Sequence, residues 1–403
     1  MGSDKPRILL VWGYHRKGWV DAFNRIKDAF RFELLHYLEK PENEENHTDF
    51  PTHYWLDFSS AKAIVDRIKP DKVVFMSTEG IPSTALNAVC KKRGIPTIVF
   101  QHGMFQPYEN YLMDVQLQTK QALAAGKTSH NKPNDRSTNV RLLKFYLRSF
   151  SVLALPGAFF YLLRLRLLRR KNYEIEALRL LPSALRVADQ YVVFTRYNAS
   201  FFTVRDEVKA EQYVEIGNPE FDDYTPEKVK SENYYLYIHS PLTYLPEWDS
   251  QGFMTQQEEN ACFERMNDFA LQQGCKLVIK LHPYSWYNEA FVQHPNIEYV
   301  KEGDNVALIL EAKGVFGFNS TLILPAAYFK NVCLFTLGEF SHIQEDLEGI
   351  GAVKLVPFHT FTAEDLKTIM AVERQPNKTK LLDQYLFRMD GGALERLKAL
   401  LLN

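Results

Sequence analysis

The chain has 403 residues, with 48 Lys and Arg against 49 Asp and Glu, for a formal net charge of -1. Its hydrophobic fraction of 46% and charged fraction of 24% exclude a disordered chain and leave room for two ordinary domains. So even a charge balance argues against nucleic acid as the main partner, because phosphate binding draws on a clear basic excess.

RILLVWG (7 to 13) predicts a strand ending at Gly13, followed by a helix through WVDAFNRIKDAF. The opening MGSDKPRILLVWGY carries no signal-peptide pattern, so the chain is expected in the cytoplasm. FELLHYL (32 to 38) reads as a strand, and the polar, aromatic HTDFPTHYWLDF (47 to 58) as a loop. Residues 60 to 80 read as helix, Pro-Asp turn and the strand KVVFMS. Residues 85 to 103 repeat the pattern and end in Gln101, His102 and Gly103. Helices alternating with short apolar strands imply a parallel sheet covered on both faces, with ligands at the carboxyl ends of its strands. Glu79 and His102 lie at such ends.

Residues 136 to 173 form a different segment, with no acidic residue. Arg141, Lys144, Arg148, Arg164, Arg166, Arg169, Arg170 and Lys171 flank the uncharged stretch Ser149 to Leu163, which Pro156-Gly157 interrupts. A spanning helix needs about 20 apolar residues, so this stretch is too short. The pattern suits a helix pair lying in an anionic membrane surface. The other reading is an apolar hairpin packed on the core with its arginines snorkelling to water.

ADQYVVFTRYNASFF (188 to 202) is a strand followed by a helix, YVEIGNPEFDDY (213 to 224) a short strand, and 225 to 233 a polar linker. A second series begins at NYYLYIHSPL (233 to 242), continues through a helix at 254 to 274, and reaches the strand CKLVIKLHPYS (275 to 285). NIEYV, VFGFNST and VCLFTL supply further strands, with helices at 305 to 314 and 322 to 331. The four cysteines, Cys90, Cys262, Cys275 and Cys333, form no CxxC pair and read as reduced core residues with no zinc site. The expected architecture is α/β: two Rossmann-like doubly wound domains facing a cleft. The N-terminal, acceptor-side domain spans 1 to 224 and carries the helical insertion at 136 to 173. The donor domain spans 234 to 385, and a C-terminal helix spans 386 to 403.

His282 stands at the tip of a strand that Pro283 stops, where an imidazole can donate to a phosphate oxygen. Asn319, Ser320 and Thr321 precede a helix, where hydroxyls either cap it or meet an anion. His239 and Ser240 end the first strand of the same domain and are candidates for touching donor or acceptor.

QHG (101 to 103), KLHP (280 to 283) and NST (319 to 321), with GNPEFD (217 to 222), resemble bacterial GT-B glycosyltransferases that use cytidine-nucleotide donors. That group contains capsule Kdo transferases, sialyl- and polysialyltransferases, and teichoic-acid polyol-phosphate transferases. The resemblance covers most of the chain except 104 to 187. It implies that His282, Pro283, Asn319, Ser320 and Thr321 bind the donor nucleotide and that His102 or Glu79 is the general base. It implies an inverting transfer of a Kdo- or sialic-acid-type sugar from CMP to a surface polysaccharide or glycolipid. No cofactor is expected beyond the nucleotide-sugar donor, and no metal, since no DxD triplet falls in a suitable loop. The sequence departs from the pattern in two places. Pro325-Ala326-Ala327 stand where UDP-sugar enzymes carry a ribose-binding acid, and Gln101-His102 replace the acidic pair of the sialyltransferases. The alternatives are a CDP-glycerol or CDP-ribitol phosphotransferase, a UDP-sugar transferase or epimerase, and a non-catalytic glycan-binding subunit.

Overall fold

The structure, a computed structural model, describes residues 5–42, 45–103, 106–124, 136–245, 250–251, 254–337, 342–372 and 377–403. The chain divides into two compact units. The first comprises Met1–Tyr108, Pro133–Asp222 and Gly392–Asn403, the second Glu109–Lys132 and Asp223–Gly391.

The first unit is built on seven strands: β1 (Arg7–Val11), β2 (Arg31–His36), β3 (Thr52–Tyr54), β4 (Lys72–Phe75), β5 (Thr97–Phe100), β6 (Gln190–Val193) and β7 (Tyr213–Glu215). All pair in parallel, in the order β3-β2-β1-β4-β5-β6-β7. Ile8, Leu9, Leu10, Val73, Val74 and Phe75 are fully buried. Burial of successive residues on both faces is what a parallel sheet covered by helices demands, and each such side chain contributes about 1.5–3 kcal/mol. The connections include α1 (Lys17–Ile26), α2 (Ala61–Ile68) and α3 (Ile81–Lys92). The helix α4 (Tyr108–Ala124) follows, and from Glu109 onward it belongs to the second unit. The expected loop at 47 to 58 instead contains β3, a three-residue edge strand in register with Leu34–His36 of β2.

The segment 136 to 173 forms α5 (Arg136–Ser149) and α6 (Leu155–Leu168), which lead through α7 (Glu174–Arg179) back to β6 and then α8 (Arg196–Asp206). Pro156 occupies the first turn of α6, where its missing N–H costs nothing, so the break between the helices lies before it. One face of α5 packs on the core. Phe145 and Tyr146 are buried, and the Ser149 hydroxyl accepts the Ala61 N–H at 2.9 Å. On α6, Ala158, Tyr161 and Leu165 are buried while Phe159, Phe160, Leu163 and Leu167 are exposed. No described helix is long and apolar enough to cross a membrane.

The second unit has β8 (Tyr234–Ile238), the short antiparallel pair β9 (Tyr244–Leu245) and β10 (Ser250–Gln251), then β11 (Lys276–Lys280), β12 (Ile297–Val300), β13 (Gly314–Gly317), β14 (Val332–Thr336) and β15 (Lys354–Pro357). Its main sheet is parallel, in the order β12-β11-β8-β13-β14-β15. Besides most of α4, its helices include α9 (Gln256–Gln272), α10 (Asn305–Glu311), α11 (Ile323–Phe329), α12 (His342–Gly349), α13 (Ala363–Ala371) and α14 (Lys378–Leu381). The expected linker, 225 to 233, is fastened to this unit: the Lys230 and Glu232 N–H groups donate to the Leu310 and Glu311 carbonyls at 2.9 and 2.8 Å.

The division into units is not contiguous along the chain. Where a C-terminal helix was expected from 386, Phe387 and Gly391 take left-handed backbone conformations (φ 62° and 68°), and α15 (Ala393–Leu402) begins only beyond them. Its Leu397 and Leu401 are buried in the core of the first sheet. The Asp222 carboxylate accepts the N–H groups of Ala393 and Leu394 at 2.9 and 2.7 Å.

Candidate active site

Each sheet changes winding direction beside its first strand, and ligands of open α/β sheets collect at the carboxyl edge there. In the first unit the loops after β1, β4 and β5 share that edge, since these strands are neighbours. They carry Trp12 to Arg16, Thr78-Glu79 and Gln101-His102.

Gln101 is buried and locks the β5 loop. Its amide nitrogen donates to the Gly103 carbonyl at 3.0 Å and to Asn198 Oδ1 at 3.1 Å, and its oxygen accepts the Phe194 N–H at 2.8 Å. Gly103 turns at φ 69°, a conformation glycine adopts without strain. His102 is half-buried. Its ring meets Trp12 and Trp19 edge-on, at centroid distances of 5.9 and 6.0 Å. Trp12 Nε1 donates to the Trp19 carbonyl at 2.8 Å. Gly13 makes room for this cage, because a methyl there would lie 2.6 Å from the Trp19 ring. Burial lowers the His102 pKa below the ordinary 6.5, and the charge of Glu79 opposes that shift. The imidazole is therefore neutral near pH 7 and able to accept a proton.

Glu79 takes a different position from the one expected of a second base. Its carboxylate is bound by the guanidinium of Arg205, which is 3% exposed. Arg205 also forks onto Asp206, and Asp206 in turn accepts from Arg186 Nε at 2.7 Å. Arg186, fully buried, donates further to the Tyr161 hydroxyl at 3.1 Å and the Leu178 carbonyl at 3.0 Å. Glu79 is thus the outer end of a buried chain of two carboxylates and two guanidiniums. The residues RD at 205–206 look in sequence like a solvated helix end, so no signal marked this network.

In the second unit β8 lies between β11 and β13. Their loops bring His239-Ser240, His282-Pro283 and Asn319-Ser320-Thr321 to three adjacent strand ends. His282 Nδ1 accepts the Tyr284 N–H at 3.4 Å, so the neutral ring carries its proton on Nε2, the form that donates to an anion. Pro283 is exposed and opens a turn of 3-10 helix. Ser320 Oγ accepts the Leu322 N–H at 3.4 Å. The helix cap expected of Ser320 and Thr321 falls instead at Leu322, without a side-chain bond. Asn319 is exposed, and Ser320 and Thr321 are half-buried.

His239 corrects the expectation of direct ligand contact. It is 4% exposed, and both ring nitrogens are engaged within the protein. Nε2 meets Glu259 Oε1 at 3.1 Å, and Nδ1 accepts the His282 N–H at 3.4 Å. It therefore holds the backbone of the neighbouring strand end, while Ser240 beside it is half-buried. Glu259 is fully buried in the first turn of α9, one residue after the Glu258 that completes a capping box with Thr255. In sequence the two glutamates are indistinguishable.

No protein-family model matches the chain, and no curated protein matches it. Solved structures do. The wall teichoic acid polymerase TagF is similar over 99% of this chain and 88% of its own, at 12% identity and a TM-score of 0.50. A second structure of TagF gives 0.51 at 11% identity over the same shares. UDP-N-acetylglucosamine 2-epimerase from Rickettsia bellii covers 99% of this chain and 96% of its own at 11% identity, with a TM-score of 0.49. The likeness to TagF and the two parallel sheets show the fold: this chain is built of two α/β units of the GT-B class.

Proposed function

We propose that the protein is a nucleotide-sugar-dependent glycosyltransferase, inverting and metal-independent, that uses a CMP-activated sugar of the Kdo or sialic-acid type. The observation that carries this reading is that His282 and the Ser320-Thr321 pair stand at the ends of β11 and β13, the two strands that flank β8 in the second unit. His282 Nε2–H and the two hydroxyls supply donors to the charge that develops on a departing nucleotide phosphate. In the first unit the neutral His102 accepts the proton of the acceptor hydroxyl. Glu79, tied to Arg205, contributes negative charge near the imidazolium that forms. Asn319, Pro283 and Ser240 are assigned to shaping the donor pocket. The acceptor in this reading is a surface polysaccharide or a glycolipid, and the exposed apolar residues and arginines of α6 rest on an anionic membrane surface facing the cytoplasm.

A second reading, a CDP-glycerol or CDP-ribitol phosphotransferase, is favoured by the likeness to a wall teichoic acid polymerase and by the His-Gly pair at 102–103. Thermal unfolding in the presence of CMP, CDP, UDP and GDP tests both readings. Stabilisation by CMP or CDP is expected. Stabilisation by UDP alone would replace both with a UDP-sugar enzyme, and no response to any nucleotide would leave the glycan-binding subunit. Co-sedimentation with anionic vesicles at low salt tests the membrane contact, and no binding would overturn it.

A further inference from the structure

A cavity of about 910 Å³ opens between α5 and α6, within the first unit. Its apolar wall includes Leu142, Leu143, Phe159, Leu162 and Leu163. Arg166, Arg169 and Arg170 lie at one end, and Ile81 lines the cavity with them. The orientation follows from the packing. A smaller cavity is lined by Val89, Lys92, Ser149 and Ala154, so the far end of α3 lies beside the end of α5 and the start of α6. The start of α3, at Ile81, therefore lies beside the start of α5 and the arginine-rich end of α6. Ile81 directly follows Glu79-Gly80 at the carboxyl end of β4. The groove thus has a polar end next to the candidate catalytic edge and an apolar stretch leading away from it.

We propose that this groove holds the hydrocarbon chain of one anionic, phosphate-headed amphiphile, with the phosphate on Arg166, Arg169 and Arg170. Charge complementarity selects this occupant. No acidic residue lies anywhere in 136 to 173, and of the three arginines Arg169 is bridged to Glu174 beyond it. A guanidinium cluster matches a phosphate bidentately, and the volume falls in the ordinary range of small-molecule sites, roughly 300–1,000 Å³. A phosphate held there presents whatever it carries toward the loop of Glu79. This makes the bound amphiphile a lipid-linked acceptor, a role that rests on the transferase reading; the binding itself does not.

The test uses the full chain and a fluorescent single-chain phosphate amphiphile, competed with dodecyl phosphate, dodecyl maltoside and inorganic phosphate below micellar concentrations. Dodecyl phosphate is expected to compete about tenfold more strongly than the maltoside, and inorganic phosphate not at all. The double variant Arg166→Glu, Arg170→Glu should remove that preference, and Leu163→Glu should weaken both amphiphiles. Both variants change exposed residues, and circular dichroism verifies their fold. Equal competition by the two amphiphiles, or unchanged binding in the variants, overturns the proposal. So does concentration-dependent dimerisation abolished by Leu163→Glu with no amphiphile bound, which would make the groove a contact between copies. CMP-induced stabilisation, measured on the same samples, separates the two claims. Amphiphile binding without a nucleotide response would sink the transferase reading and leave the groove, whereas the reverse would sink only the groove.

Discussion

The carboxylate of Glu79 is bound by Arg205, a guanidinium almost wholly removed from water that also grips its sequence neighbour Asp206. A carboxylate that the sequence offers as a candidate general base is thereby tied to the structural core of its unit. Removing the cation would leave Asp206 buried beside Arg186 alone and Glu79 without its partner. Arg205→Ala is expected to cost about 3–5 kcal/mol, read from urea unfolding. Arg205→Lys keeps the charge but loses the planar fork, so it should fall between the two. A wild-type midpoint for the alanine variant would show that the network does not support the fold.

The pH dependence has a definite sign. Burial lowers the pKa of His102 below 6.5, and burial together with His15 lowers that of His36 to about 4. In the unfolded chain both protonate near 6.5, so on acidification the unfolded state gains protons that the folded state resists. The associated stability is complete above pH 6.5 and declines from there toward pH 4. Denaturant unfolding across that window should show the decline, and His36→Gln should flatten it. The acid limb of the reaction rate should lie below pH 6.5, because His102 remains a base there. His102→Asn should lower the rate by about 10²–10⁴. Full activity in that variant would remove the assignment.

In the proposed reading, His239 and Glu259 act on the donor indirectly, through the backbone N–H of His282 that His239 holds. Glu259→Gln keeps an oxygen for the His239 N–H and should cost about 1 kcal/mol, whereas Glu259→Ala, which leaves the imidazole unmatched, should cost about 2–3 kcal/mol. His239→Ala should raise the donor KM more than it lowers kcat, because it loosens the backbone that carries His282. An equal effect on kcat and kcat/KM would place His239 in contact with the reacting atoms.

Gly13 and Gly103 separate space from conformation. Gly13→Ala forces the Trp19 ring aside and should cost about 1–3 kcal/mol, with lower activity and an altered near-UV circular dichroism signal. At Gly103 a methyl meets nothing within 4 Å, so Gly103→Ala should cost only the backbone strain, about 1–2 kcal/mol. Reversal of these signatures would mean that the His102 cage is not built as described.

The two sheets were legible because their strands are short apolar runs between turn residues, as in KVVF, TIVF and KLVIK. The strands β3 and β15 were not: THY and KLVP are edge segments, only partly covered, and carry no continuous apolar signal. Histidines at strand ends were also visible, but their roles were not. IHS, LHP and QHG look alike. What separates them is a glutamate twenty residues away on α9 for the first, a local turn for the second, and two tryptophans for the third. Pairings between distant elements decide burial, and burial decides the chemistry.

The docking of α15 has a consequence for biogenesis. Chains emerge from the ribosome at about 5–20 residues per second, and domains generally fold as they appear. Here the apolar cluster that receives Leu397 and Leu401 includes Ile8, Leu10, Val20 and Phe23, translated at the very beginning. Lys72 likewise waits for the carbonyl of Leu400, 3.2 Å away in the folded protein. The first unit must therefore stay unfinished while the whole second unit is synthesised. During that interval its uncovered patch is a natural client for a chaperone. A ribosome stalled just short of Gly392 would release a chain whose second unit is whole and whose first unit is open.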